Sequence, residues 1–189
     1  MPNLYIVSGC NGAGKTTASF TILPVILNCR EFVNADNIAA GLSPFNTESV
    51  AIEAARIMLH RIDELLEEGV DFAIETTLAT RSYVSLVHRA RKAGYNITLI
   101  YIWLKSPELA LQRVAERVRN GGHNIPEEVV RRRYRNGIKN LFNLFMPICD
   151  VWIVADNSQN DLKLIAKKSA GFDITVENND IWTIINTLI

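Results

Sequence analysis

Eight consecutive residues, Gly9-Cys10-Asn11-Gly12-Ala13-Gly14-Lys15-Thr16, constrain this chain more than any other feature. They match G-x-x-x-x-G-K-[ST] without a gap, an apolar run (residues 4–8) precedes them, and a helix-forming stretch (residues 15–27) follows. The glycines let the backbone curl so that successive N–H groups point inward, and the new helix adds its positive end. Such a loop cradles phosphate. Lys15 would reach the outer phosphates, the Thr16 hydroxyl would ligate a magnesium ion bridging two of them, and Thr17 would extend the cradle. ATP and Mg²⁺ are therefore the expected cofactors, held through residues 9–17. The glycine spacing and the lysine differ from a dinucleotide loop, which disfavours nicotinamide chemistry.

Short β-rich segments alternate with longer amphipathic ones along the chain. That order predicts an α/β fold with a three-layer P-loop NTPase core: a mostly parallel five-stranded sheet, helices on both faces and a helical lid. Strands are expected at 4–8, 31–34, 72–74, 97–104 and 151–154. Between them, Val50, Ala54, Ile57, Met58, Ile62 and Leu65 recur with helical period over residues 47–68, and Gly69 supplies a stop. A further helix is expected over 82–92. Ser106, Pro107 and Glu108 open another that runs to about 119, as cap, first helical residue and dipole partner. Residues 120–125 interrupt it and Pro126 starts the next, so that a lid spans about 106–146. Residues 158–189 hold two short strands and a final helix, read as a small β-extension. No linker divides the 189 residues, so they read as a single domain.

The 20 basic and 20 acidic residues balance to a formal charge of +0, which makes nucleic acid an unlikely partner. No apolar run approaches the roughly 20 residues needed to span a bilayer. The first residues lack the features of a signal peptide. Cys10, Cys29 and Cys149 are few and widely spaced, which fits a reducing, cytoplasmic compartment.

Three further clusters carry chemistry. Asp36 closes the second strand, where ligands bind in open parallel sheets, and is the candidate base that takes a proton from an attacking hydroxyl. Its alternatives are a helix N-cap or a magnesium ligand. Glu75-Thr76-Thr77 ends the third strand, with Arg81 close behind. Glu75, Thr77 and Arg81 are candidates for acceptor binding, against a structural reading in which Glu75 pairs with a lid base and the threonines cap the next helix. Seven arginines flank the lid interruption: Arg113, Arg117, Arg119, Arg131, Arg132, Arg133 and Arg135. Val130, Tyr134, Ile138 and Leu141 define the buried side of the second lid helix, with Arg132 nearly opposite and Arg131 and Arg133 at the flanks. Arg119 and Arg133 are the preferred phosphate contacts, with Arg117 and Arg131 next. Arg113 would stack on adenine. His123, alone in its loop, reads as incidental.

With the phosphate loop, Asp36, the Glu75-Thr76-Thr77 segment and the arginine-flanked lid in this order, residues 4–157 resemble the zeta-toxin family. The resemblance implies a P-loop kinase that phosphorylates UDP-N-acetylglucosamine on a sugar hydroxyl and is restrained by an antitoxin protein. It places ATP binding on Lys15, the base on Asp36, sugar-nucleotide contacts on Glu75 and Thr77, and phosphate contacts on Arg119 and Arg133. In this chain Arg81 follows Leu78-Ala79-Thr80, farther from Thr77 than the toxin pattern has it. Two other functions share these residues: a nucleoside, nucleotide or polynucleotide-end kinase, and a nucleotide-dependent switch that signals through lid closure. No N-K-x-D guanine signature is present.

Overall fold

The computed structural model describes residues 1–122, 124–159 and 161–189; His123 lies outside the described residues. The chain runs β1 (Asn3–Ser8), α1 (Lys15–Thr21), β2 (Glu31–Val33), α2 (Ala35–Leu42), α3 (Ala51–Glu68), β3 (Phe72–Thr76), α4 (Ser82–Lys92) and β4 (Asn96–Trp103). It continues through α5 (Pro107–Arg119), α6 (Glu127–Asn140), β5 (Val151–Asp156), β6 (Lys163–Lys168), β7 (Thr175–Val176) and α7 (Asn179–Asn186).

Among the described residues, seven strands join one sheet in the order β2-β3-β1-β4-β5-β6-β7. The first five are parallel, as the alternating pattern predicts. The extension is no separate unit: β6 pairs antiparallel with β5, and β7 with β6. Strand β1 is central, with Ser8 level with Thr76 of β3 on one side and Tyr101 of β4 on the other. From β1 the chain first moves outward to β2 and later crosses to β4, so a crevice opens beyond the carboxyl end of β1. The phosphate loop occupies that crevice.

Burial explains why these strands are almost continuously apolar. Leu4, Ile6 and Val7 of β1 and Phe72, Ala73 and Ile74 of β3 are fully enclosed, because helices cover both faces of the sheet. Helix α3 turns Ala54, Met58, Ile62 and Leu65 inward and ends at Gly69, whose φ of 65° lets its N–H return to the Leu65 carbonyl. Helix α5 begins as its sequence predicts: the Ser106 side chain accepts from Leu109 N at 3.2 Å, and Pro107 follows. Helices α5 and α6 occupy the span expected as a lid, yet their inner faces belong to the core. Ala110, Val114, Val130, Tyr134 and Ile138 are buried, each large one contributing about 1.5–3 kcal/mol.

Two local departures are informative. The helix expected over 15–27 is α-helical only to Thr21 and widens into a π turn over Ile22–Ile26, where Pro24 supplies no N–H. The expected 47–68 helix opens with a 3₁₀ turn, Thr47–Val50. No helix among the described residues is long and apolar enough to cross a membrane.

Candidate phosphate-transfer site

The loop closes on itself through Ala13 N donating to the Cys10 carbonyl at 3.2 Å. Gly12 and Gly14 have φ of 77° and 83°, in the left-handed region that a side chain rarely adopts. Space excludes larger residues as well. A Cβ on Gly12 would lie 2.8 Å from the Ala110 carbonyl oxygen, and one on Gly14 would lie 2.6 Å from Asn157 Nδ2. Helix α1 begins at Lys15, so its first-turn N–H groups have no acceptor within the helix and face the crevice.

Outside the loop, two side chains hold it in place. Asn157 Nδ2 donates to the Ala13 carbonyl at 2.8 Å. Arg113 donates to the carbonyls of Gly12 at 3.5 Å, Asn157 at 2.7 Å and Ser158 at 3.3 Å. Inside, Lys15 is 8% exposed, donates from Nζ to the Cys10 carbonyl at 3.1 Å and lies 3.6 Å from Glu75 Oε1. The other Glu75 oxygen, Oε2, accepts from Thr16 Oγ1 and from Asn34 Nδ2, both at 2.7 Å. The third-strand carboxylate thus meets both residues expected to handle phosphate and metal.

Asn34 has a second task. Its Oδ1 accepts from Asp36 N at 2.8 Å and Asn37 N at 3.3 Å, capping α2. The N-cap role weighed for Asp36 therefore falls two residues earlier, and Asp36 sits exposed in the first turn. Above it, Arg133 Nη1 donates to Asn11 Oδ1 at 3.2 Å. Burial lowers the Arg133 pKa from the ordinary arginine value, while the Asp36 carboxylate pulls it the other way.

Three adjoining cavities follow the crevice. The middle one, about 230 Å³, is lined by Asn11, Lys15, Thr16, Asp36, Glu75 and Arg117 among others. Gly12, Gly14, Thr17 and Arg113 line it too and also bound a cavity of about 600 Å³ walled by Ile22, Ile26, Asn157, Asp161 and Leu162. On the other side, Asp36 and Arg117 are shared with a cavity of about 440 Å³ between α2 and the α5–α6 connection, lined by Ala39, Pro44, Thr47, Glu48 and Gly122.

The lid arginines divide by position. Arg117 lines the crevice and Arg133 meets it through Asn11, whereas Arg119, the last residue of α5, is exposed; neither Arg133 nor Arg119 lines any of the three cavities. Arg131 is bound to Glu108 at 2.7 Å and Glu127 at 2.8 Å, pinning the start of α5 to α6. Arg81 is exposed just before α4, and Thr77 is half-buried with its carbonyl against Gly137 of α6. Neither lines the 230 Å³ or the 440 Å³ cavity, and Glu75 lines only the former. The sequence reading gave Asn34 and Asn157 no role. Asn34 carried a local signal, a capping residue at a strand end; Asn157 carried only its place directly after β5.

The donor set suits magnesium. Among the described residues no group of three or more His, Cys, Asp or Glu could form a metal cage. A single hydroxyl beside a carboxylate matches an ion that keeps its waters and takes phosphate oxygens as its other ligands.

A phosphate loop between the central parallel strand and α1, a carboxylate beyond β2 and arginines on a helical lid define a P-loop kinase-like fold. The chain belongs to the zeta toxin family, whose model matches residues 1–162. An uncharacterized protein of Haemophilus influenzae is 32% identical over 127 residues, covering 67% of this chain and 88% of its own length. A chain of the AvrRxo1-ORF1:AvrRxo1-ORF2 crystal structure with sulphate ions superposes with a TM-score of 0.79 at 18% identity, covering 98% of this chain and 63% of that one. The same complex crystallised with ATP gives 0.77, also at 18% identity and with the same coverage. A chain from the PezAT chromosomal toxin-antitoxin system of Streptococcus pneumoniae gives 0.68 at 14% identity, covering 100% of this chain and 86% of that one. This chain thus spans less than two thirds of the AvrRxo1 chain, and at these identities the structural likeness is one of fold.

Proposed function

We propose that this protein is an ATP-dependent kinase that transfers the γ-phosphate to a hydroxyl of a small molecule, with Asp36 as the base. The observation that carries this reading is the sharing of Asp36 and Arg117 between the 230 Å³ and 440 Å³ cavities. A base must touch the acceptor hydroxyl and stand next to the phosphorus it attacks. The 600 Å³ cavity, with Arg113 at its border and Ile22, Ile26 and Leu162 in its wall, suits the nucleobase and ribose.

In this scheme the triphosphate lies along the loop, with Lys15 at its outer phosphates and Arg117 and Arg133 facing the γ-phosphoryl group. Thr16 would hold a magnesium ion, which supplies charge neutralisation across the phosphates, and Glu75 would orient its waters. The acceptor oxygen forms a bond to the γ-phosphorus, its proton passes to Asp36, and the bond from phosphorus to the β–γ bridging oxygen breaks to release ADP. Positioning and charge stabilisation do most of the work, as phosphoryl transfer requires.

Family membership favours a UDP-sugar as acceptor, a cytoplasmic site of action and an antitoxin partner that restrains the enzyme. The PezAT structure describes a toxin-antitoxin system, which supports that last reading. To test the proposal, purified protein is incubated with γ-labelled ATP, Mg²⁺ and a panel of UDP-sugars, nucleosides and oligonucleotide 5′ ends. Label should appear on a UDP-sugar. Asp36→Asn should lower transfer by about 10²–10⁴-fold while leaving ATP affinity within about threefold. Transfer by Asp36→Asn at the parent rate, or no transfer to any member of the panel, overturns the proposal.

A further inference from the structure

Asn34 is 5% exposed and lies between the two carboxylates on which the proposed reaction depends. Its amide is used at both ends. Nδ2 donates to Glu75 Oε2 at 2.7 Å, and Oδ1 accepts from Asp36 N at 2.8 Å. Glu75 Oε2 also accepts from Thr16 at 2.7 Å, and Glu75 Oε1 faces Lys15 at 3.6 Å. One continuous polar path therefore runs from the phosphate loop through Glu75 and Asn34 to the backbone that carries Asp36.

We infer that Asn34 is a positioning residue that fixes Asp36 relative to the phosphate loop by tying its backbone to Glu75. The inference rests on the kinase reading above. A carboxylate at this position would cap α2 equally well, since Asp and Asn are comparable caps, but it could not donate to Glu75. A serine hydroxyl is too short to span both partners. The buried location adds weight, because an amide enclosed here keeps its geometry only while both ends are satisfied. Displacing Asp36 by a fraction of an ångström would misalign the attacking oxygen.

Asn34→Asp separates this role from simple capping. If Asn34 only caps α2, the variant loses Tm where two carboxylates meet but keeps the parent kcat. If it positions Asp36, kcat falls about 10–100-fold, the KM values for ATP and acceptor stay within about threefold, and Tm drops by about 5 °C as two carboxylates meet. The double variant Asn34→Asp/Glu75→Gln reverses the donor and acceptor of the bridge and should recover most of the lost Tm, a readout independent of activity. Should Asn34→Asp fold poorly, Asn34→Ser retains a capping oxygen without the bridge and should show the same fall in kcat. Parent-like kcat in either single variant, or no recovery of Tm in the double variant, overturns the inference and leaves the kinase reading standing. Absence of transfer by the parent protein overturns the kinase reading and, with it, the catalytic role of Asn34; the melting comparison then decides the bridge alone.

Discussion

Lys15 shows how much a single side chain contributes to this site. Enclosed by the loop, it is positioned by the Cys10 carbonyl and Glu75 before any nucleotide arrives, so little side-chain freedom remains to be lost on binding. Lys15→Ala removes the one lysine from the cradle, and affinity for Mg·ATP should fall roughly 100-fold or more, as loss of one partner of an enclosed charge pair does. Titration with a fluorescent ATP analogue measures this, and parent-like affinity would contradict the phosphate-binding assignment. The loop that encloses Lys15 was legible in the sequence because eight contiguous residues define it. Asn34 and Asn157 were not, since each acts on a partner far along the chain: Glu75, 41 positions from Asn34, and Ala13, 144 positions from Asn157. Their chemistry depends on which strand ends become adjacent.

Helix α6 illustrates the element scale. Gly137 sits in its interior, where alanine would be favoured by about 1 kcal/mol on helix propensity alone. The glycine is explained by contact: a Cβ there would lie 2.8 Å from the Thr77 carbonyl oxygen and 3.2 Å from the Tyr101 hydroxyl. Nearby, Asn140 Nδ2 donates to the Leu78 carbonyl at 2.7 Å, so α6 grips the β3–α4 loop at two points. Gly137→Ala must push α6 away from a backbone oxygen. It should destabilise the fold by about 1–3 kcal/mol despite the propensity gain, and should reduce transfer by shifting Arg133 on the same helix; thermal melting and activity assays check both. The buried stripe of α6 was readable from its 3.6-residue period, and the arginines on its flanks with it. Helix α2 was foreseen only as an alternative, a helical turn opening at Asp36. It has eight residues and buries only Ala39, too little periodicity to stand out from a loop, although it carries Asp36 and walls the 440 Å³ cavity.

Across the whole molecule, the three cysteines report how tightly the layers close. All are free and buried, at 2%, 1% and 6% exposure for Cys10, Cys29 and Cys149. Burial pushes the thiols up to about 11, about 11 and about 12. Folded protein should therefore resist thiol reagents at pH 7–8 and label at all three positions on unfolding, as a mass-resolved labelling experiment would show. Because these thiols hold their protons more tightly when folded than when unfolded, their contribution to stability is complete below the unfolded thiol pKa of about 8.5 and is lost as pH rises towards 11–12. Denaturant midpoints measured between pH 8 and pH 11 should decline accordingly.

The same scale separates what the chain states locally from what folding adds. The phosphate loop and the parallel α/β alternation were set by the sequence itself, because a contiguous motif and the periods of strand and helix need no distant partner. Only the tertiary structure decided that Arg117 reaches the crevice while Arg119 does not, that Glu75 is shared by Lys15, Thr16 and Asn34, and that the C-terminal strands extend the main sheet. Those outcomes depend on how close-packed layers place elements that lie far apart along the chain, and no local pattern of residues encodes that placement.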